Sequence, residues 1–97
     1  MANATELEKV RLACRIVTTA YDSELGDLID AAKKDLQIAG VVLPTEIDAI
    51  TMRAVVTYCK ANFGDPESYG DFKRSYDEQK AQLSNATGYT NWGDSGV

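Results

Sequence analysis

Asp22, Glu24, Asp27 and Asp30 form the one concentration of acidic side chains whose spacing could do chemistry. Glu24 and Asp27, like Asp27 and Asp30, are three residues apart, which makes their carboxylates neighbours on one helical face. Such a group could bind a divalent cation or work as an acid–base pair. Equally, acids gathered at a helix N-terminus are favoured by the macrodipole and simply face water. The second reading is preferred, because no reactive partner accompanies them. The sequence contains no histidine, so the commonest general base and metal ligand is missing. A Ser-His-Asp triad and a Cys-His dyad are therefore ruled out. Cys14 and Cys59 are too few for a disulfide framework or a zinc site, and they read as small buried hydrophobes. Every glycine stands alone, so there is neither a phosphate loop nor a dinucleotide fingerprint. The expectation is a protein without catalytic, metal-binding or cofactor-binding residues, and not an enzyme.

Aromatic residues offer a different chemistry. Tyr69, Phe72 and Tyr76 lie on one thin helical seam and could stack bases, but a single-strand binder needs a positive groove beside them, and only Lys73 and Arg74 are near. Packing, within the subunit or against a neighbour, is the preferred reading. From Ser84 the composition turns small, polar and glycine-rich, yet this stretch holds Gly88, Tyr89 and the only tryptophan, Trp92. These side chains either fold back onto their own domain or anchor the tail to a partner, as Tyr and Trp do at interface hot spots. The second is favoured.

The elements that must position these residues are helical. Thr5 with Glu8 has the spacing of a capping box, and Leu7, Val10, Cys14 and Val17 share one face of a helix over 6–17. Asp22 or Ser23 is the expected cap of a helix over 23–39, whose stripe is Leu25, Leu28, Ile29, Ala32, Leu36 and Ala39 and whose stop is Gly40. A third helix over 46–63, capped by Thr45, is apolar around most of its circumference and must be the central core helix. Only Arg53, Thr57 and Lys60 leave it a narrow polar stripe. A fourth over 66–84 starts at Pro66 and is polar apart from its seam, with Lys73–Asp77 and Arg74–Glu78 at ion-pair spacing. The fold class is all-α: a compact bundle of about four helices over 1–84, with an extended C-terminal tail over 85–97.

Bulk properties agree. Ninety-seven residues with 44% hydrophobic content predict one folded domain. Fifteen acidic against ten basic residues give a net charge of −5, contrary to the basic footprint of a nucleic-acid binder. The opening MANATELEKV lacks the apolar core of a secretory signal, and no apolar run is long enough for a membrane span. A cytoplasmic origin and no membrane partner are expected.

Three stretches resemble the head–tail connector proteins of tailed bacteriophages, also described as head-completion adaptors or DNA-packaging proteins. CRIVTTAYDSELGDLIDAAKKDL, Cys14 to Leu36, is similar to the family's opening helix, acidic break and DxELxxLIxAAK-type second helix. TMRAVVTYCKANFGDP, Thr51 to Pro66, resembles its third helix and the turn into the fourth. SYDEQKAQLSNATGYTNW, Ser75 to Trp92, resembles its helix end and glycine-tyrosine tail. The resemblance implies a structural virion protein forming a ring, usually twelvefold, beneath the portal. That ring bridges the portal protein to a stopper or tail-completion protein, with DNA passing through the centre without sequence-specific contacts. It also implies that the C-terminal segment, with Gly88, Tyr89 and Trp92, reaches the portal.

The residues suit that picture. Lys9, Arg11 and Arg15 make helix one basic, whereas Asp27 and Asp30 belong to a net negative helix two. Opposite charge on two faces fits a head-to-tail ring. A small interaction module outside any virion is the alternative, and a helical nucleic-acid binder using Arg53, Lys60, Lys73 and Arg74 a further one.

Overall fold

Asn3 begins the helical structure. Its side chain accepts the Glu6 amide at 2.8 Å while the Glu6 carboxylate accepts the Asn3 amide at 3.1 Å, a complete capping box at the head of α1 (Ala4–Ala13). The computed structural model of the protein describes residues 3–44, 46–63 and 66–85. The tail residues Gly88, Tyr89 and Trp92, and the expected cap Thr45, lie outside them.

The box at Asn3 displaces the one expected at Thr5. Both satisfy local rules, but Glu6 also meets Lys33 of α2 at 2.7 Å, and that contact favours the earlier start. α1 also ends four residues before the expected Val17. Arg15 takes a left-handed φ of 59°, its amide bonds to the Leu12 carbonyl, and the Ile16 amide reaches back to Arg11. These two bonds make a Schellman stop without glycine. Val17, expected on the buried face, is fully exposed in consequence.

α2 (Asp22–Ile38) follows, with Tyr21 at its cap position and no side-chain cap. Asp22, expected to cap, sits inside the first turn and pairs with Arg11 of α1 at 3.0 Å. Leu25, Ile29, Ala32 and Leu36 of the expected stripe are fully buried and Leu28 is half-buried, whereas Ala39, at the C-cap beyond the last turn, is exposed. Gly40, at φ 99°, closes the helix with the same pair of bonds, Gly40 to Gln37 and Val41 to Leu36. Buried Val41 then turns the chain back over the core.

Asp48 opens α3 (Ala49–Phe63): its carboxylate accepts the Thr51 amide at 2.8 Å and its carbonyl the Met52 amide. The helix thus begins three residues later than expected. A 3-10 turn over Pro66–Ser68 then leads into α4 (Tyr69–Asn85).

The contacts fix the topology. Arg11–Asp22 joins the end of α1 to the start of α2, and Glu6–Lys33 joins the opposite ends. Tyr21 meets Phe63 edge-on at 5.4 Å, and Tyr58 meets Tyr76 at 5.1 Å. Successive helices therefore run up and down, and α3 packs against each of the other three. Its Met52, Ala54, Val55 and Cys59 meet Val10 of α1, the α2 stripe, and Tyr76 and Leu83 of α4 in one core. The all-α bundle with α3 at its centre is the architecture expected.

Candidate interaction surfaces

α4 lies on the core and does not project away from it, because Tyr76 and Leu83 are buried. This divides the aromatic seam. Tyr76 is inside, Phe72 is half-buried, and Tyr69 remains exposed at 43%. The Tyr76 hydroxyl donates to Asp35 Oδ2 at 2.6 Å, and Lys80 Nζ donates to the same oxygen at 3.1 Å. Burial alone would raise the Asp35 pKa, but the tyrosine hydroxyl and then the lysine ammonium outweigh it and hold the carboxyl below its ordinary 3.8. Desolvation first, then the Asp35 carboxylate, pushes the Tyr76 phenol far above 10. The three groups tie α4 to α2 across 41 and 45 residues of sequence. They also line a shallow groove of about 190 Å³ with Tyr58, Tyr69 and Lys73. Its charges are already matched, Lys80 with Asp35 and Lys73 with Asp77 at 2.7 Å, so it behaves as a satisfied polar seam.

Charge on α1 and α2 is partly turned inward. Arg11 spends its guanidinium on Asp22, and the nearly buried Glu6 pairs with Lys33. The Glu6–Lys33 pair carried no signal in the sequence: Glu6 reads as an ordinary first-turn acid until α2 is placed beside it. Lys9 and Arg15 remain exposed on α1 and its cap, as does Asp27 on α2, while Asp30 is half-buried. On α4, Lys73–Asp77 forms as expected. Arg74 turns instead to Asp71 at 3.4 Å, not Glu78, between side chains both largely in water. Among the described residues no cluster of three or more His, Cys, Asp or Glu is placed to hold a metal ion.

Both thiols are held in the neutral form. Burial pushes Cys59 up to about 12, with the neighbouring Cys14 adding to the effect. Burial also raises Cys14, against the pull of the Lys60 charge. Neither is poised as a nucleophile.

Large apolar side chains are exposed at both ends of the bundle. Leu12, Val17, Tyr21 and Tyr69 stand at the end where α1 meets α2 and α4 begins. Ile38, Val42 and Ile50 stand at the other, around the connector between α2 and α3. Val17, expected on the packed face of α1, is 101% exposed, and Ile50 in the first turn of α3 is 56% exposed.

Compared with known proteins, residues 7–90 match the family model described as phage connector protein. No curated protein and no solved structure matches the chain. Among the described residues no helix is long and apolar enough to cross a membrane.

Proposed function

The chain belongs to the phage head–tail connector family, and from that premise we propose that it is the adaptor subunit of the connector, assembling as a ring, twelvefold in the usual case, between the portal protein and a stopper or tail-completion protein. A connector protein is a structural component of the phage particle, typically non-catalytic, and its place is the virion. In this reading the subunit is made in the host cytoplasm, docks on the portal of a filled head, and leaves a central channel through which DNA passes.

The observation that carries the reading is the family match over most of the chain. Apolar side chains exposed at both ends of the bundle support it, since a ring held between two neighbours needs an adhesive surface on each side. Net charge of −5 also supports it. An acidic subunit repeated around DNA repels phosphate and keeps the channel from gripping its cargo. The nucleic-acid alternative is weakened, because two of its four cations, Lys73 and Arg74, lie against acids on their own helix.

The tail, with Gly88, Tyr89 and Trp92, is the proposed portal anchor. A polar segment with two large aromatics can order on a partner and concentrate the binding energy in those rings. The experiment is sedimentation and negative-stain imaging of the chain with and without purified portal rings. A ring, alone or on the portal, is expected. Monomer alone under both conditions overturns the proposal. Removing residues 87–97 is expected to abolish portal attachment while leaving the helical circular dichroism intact, and unchanged attachment overturns the anchor.

A further inference from the structure

One face of α3 is left uncovered by the other three helices, and it carries positive charge in an acidic protein. Ile50, Arg53, Thr57 and Lys60 recur at i, i+3, i+7 and i+10, a single helical stripe. Opposite them Val55 and Cys59 face the core. Tyr58 and Ala61 turn toward α4, Met52 toward α1, so the stripe runs in the gap between α1 and α4. Ile50 is 56% exposed and Arg53 is exposed. Neither Arg53 nor Lys60 forms an ion pair among the described residues. The Thr57 hydroxyl is satisfied by the Arg53 carbonyl at 2.9 Å and asks for no partner. The Lys60 ammonium sits 5.6 Å from the centre of the Phe72 ring, which fixes its position at the edge of the gap.

We propose that this stripe is the seat for the acidic outer face of α2 from a second copy of the chain, which makes it the ring contact; the proposal rests on the connector reading above. Glu24 and Asp27 are exposed on α2 and point away from its buried stripe, hence away from α3. Cationic seat and acidic face therefore lie on opposite sides of one subunit. A contact between two different patches so placed is heterologous, and it repeats from copy to copy until the rotation closes a ring. One register matches the two surfaces. Copies around a ring point the same way, so α2 of one copy runs antiparallel to α3 of the next, which sets Asp27 toward Arg53 and Glu24 toward the long Lys60 side chain. The basic side of the contact is thus α3, not the α1 cations Lys9, Arg11 and Arg15 that the sequence suggests, of which Arg11 is already committed to Asp22.

The test is a pair of charge reversals in the full chain, Arg53→Glu with Lys60→Glu, and Glu24→Lys with Asp27→Lys. All four residues lie at or near the surface, and retained helical circular dichroism confirms folding. Assembly is followed by sedimentation and native mass spectrometry, alone and on portal rings. Each reversed variant is expected to assemble at least about tenfold more weakly than the unaltered chain at physiological salt. Mixing the two in equal amounts is expected to restore rings, because each reversed seat then meets a reversed face. Variants that assemble like the unaltered chain overturn the seat and leave the ring reading standing. Failure of the mixture to recover overturns the pairing. An unaltered chain that never assembles overturns both readings. If Arg53→Glu with Lys60→Glu instead abolishes binding to a short DNA duplex and spares assembly, the stripe is a phosphate contact and the proposal falls.

Discussion

Tyr76→Phe isolates one bond that joins α4 to α2. The substitution keeps the ring, its edge-on contact with Tyr58 at 5.1 Å and its burial, and removes only the hydroxyl that donates to Asp35 at 2.6 Å. A hydrogen bond to a charged acceptor contributes about 1.5–3 kcal/mol. The Asp35 side chain is 36% exposed and keeps Lys80, so water replaces part of what is lost. The cost should fall to about 1–1.5 kcal/mol, or about 4–10 °C in Tm for a domain of this size. The loss should also depend on pH. The folded Asp35 carboxyl titrates below its unfolded value near 3.8, so its stabilisation is complete above that value and disappears as pH falls through the folded one. Urea unfolding followed by circular dichroism at pH 7 and at pH 3 measures both. The gap between the two proteins should be full at pH 7 and smaller at pH 3. A gap below about 0.3 kcal/mol at pH 7, or an equal gap at both pH values, refutes the account of the Tyr76–Asp35 bond.

Glu6→Ala removes the partner of Lys33 and half of the capping box together, and should cost about 3 kcal/mol. Adding Lys33→Ala to it should cost less than Lys33→Ala does alone, and strict additivity in urea unfolding would sink the pairing. Arg15→Gly should stabilise the chain by about 0.5–1 kcal/mol, since glycine holds a left-handed φ without steric strain and the side chain is exposed. A fall in Tm would mean that the Arg15 side chain stabilises the cap in a way its exposure does not suggest.

Helix two and the core helix α3 were legible in the sequence because their signals are local and repeated. Leu25, Ile29, Ala32 and Leu36 mark one face unmistakably, and all four are buried. The candidate surfaces were only partly legible. Tyr69, Phe72 and Tyr76 share a seam in sequence, yet one is core, one half-buried and one exposed, because how far along α4 the contact with α3 extends is not written in α4. Arg53, Thr57 and Lys60 were visible as a polar stripe. That it is flanked by α1 and α4 and points away from the acidic face of α2 emerges only when the helices are placed.

The two Schellman stops show the division most directly. Both α1 and α2 end with the same pair of hydrogen bonds. At Gly40 the sequence announces the stop, since glycine takes a positive φ at little cost. At Arg15 it announces nothing, and the apolar spacing through Val17 argues for continuing the helix. The early end lets the chain turn so that Arg11 meets Asp22 and Tyr21 meets Phe63, contacts made with other elements. By itself, then, the sequence determined the helical class, the central helix and the stripe of α2, all encoded within a few turns of one helix. The early stop of α1, the burial of Glu6 with Lys33 and the joining of Tyr76 to Asp35 were decided by tertiary structure. Their partners lie 27 and 41 residues apart, and no local pattern carries that separation.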